Sequence, residues 1–217
     1  MKSTQANFGF KHKSGILMAV SSLPGRYDIG SVSAPAFKFI DFLKECKQRV
    51  WQVLPLNPTA YGDSPYQSPC SFAGNPYFID LDALKNESLL CEEDLKGAID
   101  NGDRVDYGKL FETRIPLLKK AYAKFSSTPK YTRFAEKNAD WLDDYALFMT
   151  LKEKNDYKAW TEWKDMREYA FAKAHEREFV QECGFWKFVQ FEFFSQWKKV
   201  REYAKKNGIS IVGDMPI

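Results

Sequence analysis

Ser14-Gly15-Ile16-Leu17-Met18-Ala19-Val20 is a short, almost unbroken apolar run, and Ser21-Ser22-Leu23-Pro24-Gly25 ends it with turn residues. A continuous run of that length between turn signals reads as a strand buried on both faces, as in a parallel sheet. Downstream, Phe37, Ile40 and Leu43 recur at a spacing of three between Ala34 and Lys47, which predicts an amphipathic helix with Ser33 placed to cap it. Val50-Trp51-Gln52-Val53-Leu54 then reads as a second strand, closed by Pro55. Strand, helix and strand in this order make one βαβ unit.

The same pattern returns at the other end of the chain. Phe185, Val189, Phe193, Trp197, Val200 and Ala204 recur every three or four residues, and Gly208 stands where a helix C′ residue belongs. Ile209-Ser210-Ile211-Val212 follows as a third parallel strand, ending in Gly213-Asp214-Met215-Pro216-Ile217. Domain ends normally fall in polar linkers, and three such strands leave unpaired edges that invite aggregation unless more strands follow. The expectation is therefore the N-terminal piece of a longer parallel α/β protein.

Between these ends lie two different textures. From Pro55 to Tyr77 there are 23 residues with five prolines and the rings of Tyr61, Tyr66, Phe72 and Tyr77. Proline removes donors and fixes φ, so no regular element runs through the segment, and its prolines and rings argue for a rigid loop. It leaves the C-terminal end of a parallel strand, where α/β folds place their sites. From about Leu84 to Gly184 the pattern is helical and rich in Lys and Glu. One stripe is Ile115, Leu118, Tyr122 and Phe125, with Pro116 marking a first turn or a kink. Another is Phe134, Trp141, Tyr145, Phe148 and Met149, running to about Lys154, and Trp160 to Glu182 reads as a charged helix.

Composition bounds the function. Of 217 residues, 44% are hydrophobic and 28% charged, with a net charge of +3, so the chain is globular and too balanced to predict a nucleic acid or an anionic membrane surface as partner. No apolar run approaches the ~20 residues of a membrane span, and the start has no signal-peptide core. Cys46, Cys70, Cys91 and Cys183 lie far apart, suggesting neither a zinc ribbon nor a disulfide framework, and a cytoplasmic setting is expected. Aromatic residues reach 16%. Most must be core, but Tyr and Trp also offer flat faces suited to pyranose rings.

Gly15-Ile16-Leu17, Ser21-Ser22-Leu23-Pro24-Gly25, Trp51-Gln52-Val53-Leu54-Pro55-Leu56 and Tyr61-Gly62-Asp63-Ser64-Pro65-Tyr66-Gln67-Ser68 together resemble the N-terminal third of the amylomaltases, the 4-α-glucanotransferases or disproportionating enzymes. Phe72-Ala73-Gly74-Asn75-Pro76, Ile79-Asp80-Leu81, Arg104-Val105-Asp106-Tyr107, Asp144 to Met149 and Gly213 to Ile217 match in the same order. The resemblance implies an α/β fold. It is the N-terminal part of a (β/α)8 TIM barrel of the α-amylase superfamily, with a helical insertion after the second strand and the barrel incomplete in this chain. It divides the chain into a first βαβ unit (1–56), a substrate loop with a mainly helical insertion (57–184), and a barrel helix with the third strand (185–217).

The implied activity is transfer of α-1,4-glucan segments between maltooligosaccharides by a retaining double displacement, with no metal or organic cofactor. The implied partners are a maltooligosaccharide or α-glucan substrate and the missing C-terminal part of the barrel. The family's nucleophile Asp, acid/base Glu and stabilising Asp follow later strands, downstream of Ile217, so this chain alone should not catalyse transfer.

On the substrate side the resemblance marks Tyr66 as a ring stacking on the sugar beside the cleavage point. Ser64 would be its hydrogen-bonding neighbour, and Asp214 the strand-end carboxylate that positions the same sugar. Asp63 and Gln67 lie in the same motif. Tyr61 and Phe111 match the walls of a secondary glucan groove, where Phe111 keeps the stacking face and lacks a hydroxyl. Two other readings stand beside this one: a non-catalytic glucan-binding module, and a mainly hydrolytic, α-glucosidase-like parent.

Two local patterns carry no chemistry. His175-Glu176-Arg177-Glu178-Phe179 lacks the second His of a metalloprotease helix, since position 179 is Phe. Asn86-Glu87-Ser88 is a glycosylation sequon in form alone.

Overall fold

The structure, a computed structural model, describes residues 12–60, 62–98, 102 and 104–215. Three short strands, β1 (Gly15–Leu17), β2 (Val50–Gln52) and β3 (Ser210–Val212), form one parallel sheet in the order β1-β2-β3. Helix α1 (Ala34–Glu45) joins the first two strands, and the 27-residue α8 (Val180–Lys206) leads into the third. In register, Ile16 pairs with Trp51 and Trp51 with Ile211. This row faces the helices. Trp51 is fully buried, its ring edge-on to Phe39 of α1 at 5.2 Å and to Trp197 of α8 at 6.5 Å.

The opposite face corrects the expectation that β1 is buried on both sides. Leu17, Gln52 and Val212 form a row there, and Leu17 and Val212 are 55% and 46% exposed. Side chains alternate along a strand, and both helices pack on one side of the sheet, so burial reaches only every second residue. The sheet has one covered face and one bare face.

Helix α1 buries Ala36, Ile40 and Leu43. Ser33 holds the N-cap position but makes no side-chain capping bond, and Pro35 in the first turn supplies the pre-set φ instead. Helix α8 buries Phe185, Val189, Phe193, Val200 and Ala204. Its end is a Schellman motif: Ile209 N–H donates to Ala204 O at 2.9 Å and Gly208 N–H to Lys205 O at 3.1 Å, with Gly208 at φ 71°, where a side chain would be strained.

The intervening region is helical but more broken than its sequence pattern predicts. After α2 (Leu81–Asn86) and α3 (Glu92–Leu95) comes α4 (Tyr107–Lys124), started by Asp106, whose carboxylate accepts from Lys109 N–H at 3.0 Å. Pro116 sits in the middle of α4, neither in its first turn nor at its end, with its ring exposed. The stripe expected from Phe134 to Lys154 is two helices, α5 (Pro129–Lys137) and α6 (Ala139–Lys154). Asn138 separates them. Its side-chain amide donates to Phe134 O at 2.7 Å, ending one helix at the residue that begins the next. The charged stretch after Trp160 is also divided, into a 3-10 turn (Trp160–Glu162), α7 (Tyr169–Ala174) and a second 3-10 turn (Glu176–Phe179). It buries only Trp163 and Ala172 as a small satellite with Leu147 and Leu151, too little apolar surface to hold one long helix. No described helix is long and apolar enough to cross a membrane.

Candidate functional site

The segment between β2 and α2 is irregular apart from a 3-10 turn at Pro76–Phe78, and its shape is imposed by side chains that bond to its backbone. Asn57 stands at its root and donates through Nδ2 to the carbonyls of Ser71 at 2.8 Å and Ala73 at 3.0 Å. From α8, Gln190 makes both amide bonds to Gly74, accepting from its N–H at 2.7 Å and donating to its carbonyl at 3.0 Å. Gly74 has to be glycine for this approach, because a Cβ there would overlap the Phe193 ring. Two turns along α8, Gln196 accepts from Asp80 N–H at 2.8 Å.

Arg114 of α4, 2% exposed, donates to Ile79 O at 2.8 Å and Tyr27 O at 3.0 Å. Burial lowers its pKa to about 10, which leaves it charged at neutral pH. None of Asn57, Arg114, Gln190 and Gln196 was singled out by sequence reasoning. For Arg114, Gln190 and Gln196 the available signal was a polar residue inside an apolar helical stretch, since buried polar groups are nearly always hydrogen-bonded.

On this support the tip of the loop forms a turn. Ser64 O accepts from Gln67 N–H at 3.1 Å, and Ser64 Oγ accepts from Tyr66 N–H at 3.3 Å. Gln67 O in turn accepts from Ala60 N–H at 3.0 Å, so Gln67 braces the turn through its backbone. Tyr66 projects from it, 44% exposed, and its hydroxyl donates to Asp214 Oδ2 at 2.7 Å. Asp214 follows β3 by two residues, and its other oxygen accepts from Met215 N–H at 2.9 Å. The bond to the Asp214 carboxylate raises the Tyr66 phenol above its ordinary pKa. Loop and strand tip, 148 residues apart in sequence, thus meet at the C-terminal edge of the sheet.

The remaining sequence-predicted residues stand elsewhere. Asp63, at φ 56°, turns under the loop and lines a cavity of about 30 Å3 with Asn57, Asn75 and Tyr107. Burial raises its pKa. Burial, and then the Asp63 charge, push Tyr77 up to about 12 and raise Tyr107 as well. Phe111 lies on α4, 46% exposed, and packs edge-on against Tyr157 with ring centroids 4.9 Å apart. Tyr61 falls outside the described residues. Among the described residues no cluster of His, Cys, Asp and Glu could hold a metal ion. What the assembled groups offer is a half-open aromatic face, a carboxylate and short polar groups on a stiff frame. That suits orientation of a polyhydroxylated ring more than bond-breaking, for which a retaining mechanism needs two carboxyl groups ~5–5.5 Å apart.

Comparison with known proteins agrees with this frame. A family model described as 4-alpha-glucanotransferase matches residues 18–217. The 4-alpha-glucanotransferase of Clostridium butyricum is 46% identical over 207 residues, covering 92% of this chain and 42% of that protein. The enzyme of the same name from Thermus thermophilus is 42% identical over 212 residues, covering 94% of this chain and 42% of its own length. Among solved structures, the amylomaltase from Streptococcus agalactiae in complex with acarbose superposes with a TM-score of 0.87 at 37% identity, covering 94% of this chain and 43% of that one. The chain therefore spans less than half the length of the relatives it matches, and its sheet with the helical insertion is the N-terminal part of an incomplete (β/α)8 barrel. By sequence and by fold, this chain belongs to the 4-alpha-glucanotransferase family.

Proposed function

We propose that this chain forms the substrate-facing N-terminal part of a 4-α-glucanotransferase that moves α-1,4-glucan segments between maltooligosaccharides. The observation that carries the reading is the 2.7 Å bond between the Tyr66 hydroxyl and Asp214 Oδ2, which joins the loop to the tip of a barrel strand. A glucosyl ring stacks on the open face of Tyr66, and Asp214 accepts from its hydroxyls. Ser64, already fixed to the Tyr66 backbone, holds the ring's approach angle. Phe111 and Tyr61 hold a second stretch of glucan away from this point.

The chemistry is a retaining double displacement. A carboxylate attacks the anomeric carbon while a carboxylic acid protonates the leaving oxygen. A sugar 4-hydroxyl, rather than water, then displaces the enzyme. The two carboxyl groups come from the part of the barrel that follows Ile217, which also covers the bare sheet face carrying Leu17 and Val212. Tyr66 and Asp214 act by binding and orientation, which is worth rate only when the reacting groups are held close to their productive geometry. Segment 1–56 starts the barrel, 57–184 presents and surrounds the loop, and 185–217 returns to the third strand. Four unpaired cysteines fit a reducing cytoplasm.

The test is maltotriose incubated with a protein that continues past Ile217. Glucose and longer maltooligosaccharides are expected, with Tyr66→Ala lowering turnover about 100-fold while circular dichroism is unchanged. Reducing ends that rise continuously without longer products would make the protein a hydrolase. Full turnover in Tyr66→Ala would remove the loop from the site.

A further inference from the structure

The net charge of +3 hides an uneven distribution. A groove of about 630 Å3 runs between α5 and α8, within the size range of small-molecule sites, and its floor is Phe134, Phe191, Phe194 and Trp197. Its rim carries six cations, Lys130, Arg133, Lys137, Lys198, Lys199 and Arg201, against one carboxylate, Glu202. Lys198 faces Glu202 at 3.8 Å and Lys199 faces Glu87 at 3.9 Å, whereas Lys130, Arg133, Lys137 and Arg201 have no carboxylate in ion-pair range among the described residues. Lys130, Arg133 and Lys137 are three and four residues apart on α5, a spacing at which like charges repel. The cost is relieved by an anion, and phosphate is one that Arg binds through its planar fork and Lys as a point charge.

The groove is also linked to the loop. Phe72, 66% exposed, lies nearly parallel to Trp141 at 6.2 Å, and its backbone is fixed on both sides by Asn57. Trp141 meets Phe194 at 6.1 Å, Phe194 meets Phe134 at 5.8 Å, and Phe134 meets Phe191 at 5.7 Å. A run of partly open rings thus leads from the loop that carries Tyr66 to the basic groove. Such rings offer flat apolar faces to sugars.

We infer that the groove between α5 and α8 binds a phosphate-ester-bearing stretch of a long α-glucan that also occupies the Tyr66 loop. The glucan half of this inference rests on the function proposed above, and the phosphate half on the groove's own charge. The test is calorimetric titration of a protein that continues past Ile217 with two maltodextrins of matched length, one neutral and one carrying phosphate monoesters, and with inorganic phosphate alone. The phosphorylated dextrin is expected to bind about tenfold more tightly than the neutral one at low salt, with the preference shrinking as salt rises. Arg133 and Lys137 are exposed, so the double variants R133E/K137E and R133Q/K137Q keep the fold, and both should lose the preference while binding neutral dextrin as before. Equal affinities for the two dextrins would overturn the inference. So would a preference that survives both variants, or inorganic phosphate binding as tightly as the phosphorylated dextrin. If neutral dextrin fails to bind while the phosphorylated one binds and responds to the variants, the groove stands and the reading of the loop falls.

Discussion

The loop between β2 and α2 and the segment from Trp160 to Phe179 are both poor in regular structure, yet they are held in opposite ways. The loop is fastened by side chains that satisfy its backbone: half-buried Asn57 on Ser71 and Ala73, and buried Gln190 on Gly74, Gln196 on Asp80 and Arg114 on Ile79. The later segment leans on exposed charges, such as Lys173 with Asp144 at 3.2 Å and with Glu176 at 2.6 Å, over a satellite core of four buried residues. Buried hydrogen bonds fix geometry because breaking one strands a desolvated group, whereas exposed ion pairs exchange with water at little cost. The loop should therefore exchange its amides more slowly than the later segment, although that segment holds more helix.

The strongest way to break the contrast is Arg114→Ala. It removes a buried cation, frees the carbonyls of Ile79 and Tyr27 and leaves Asp80 without its nearby charge, so urea unfolding should show a loss of about 3–5 kcal/mol. Gln190→Ala comes next, at about 2–3 kcal/mol, since both polar groups of Gly74 lose their partner. Its clearest readout is faster hydrogen exchange confined to the loop.

Glu192 sharpens the comparison from the other side. It lies two residues beyond Gln190 and is 3% exposed, but burial, and then the charge of Glu87, hold its pKa up at about 8 against the partial offset of Lys199. Because the folded value exceeds the ordinary 4.5, the native state keeps a proton that the unfolded chain gives up between those values. Stability should therefore fall as pH rises from about 4.5 to about 8, by about 1 kcal/mol per pH unit, and Glu192→Gln should flatten that dependence. The smallest effect is expected for Lys173→Ala, whose partners Asp144 and Glu176 are 47% and 43% exposed: under about 1 kcal/mol, and less at high salt. A large loss there, or none in Gln190→Ala, would dissolve the distinction.

The sequence makes the three strands, α1 and α8 legible, the strands as short apolar runs between turn residues and the helices by their three- and four-residue spacing, and the five prolines mark the loop as stiff. Where the reading fails, the deciding interaction is local and polar, or absent. Asn138 splits a continuous apolar stripe by bonding to Phe134, and the charged segment after Trp160 fragments for want of a core. The bare side of β1 was hidden because an apolar run records what a strand can bury and says nothing of what this chain packs against it. The meeting of Tyr66 with Asp214 has no local signature at all. Both residues were named through family resemblance, and the hydrogen bond between them appears only in three dimensions.

Helix α8 ties these observations to inheritance. Over 27 residues, or roughly 40 Å, one face of a single rod carries both glutamines that hold the loop and also the Val200 and Ala204 that seat the third strand. Losing one codon between Gln190 and Val200 would twist the upstream half by roughly 100° relative to the downstream half, so loop clamp and strand seat could not both keep their partners. Length variation among descendants of this chain should therefore gather in the connections around Trp160 and be purged from the rod.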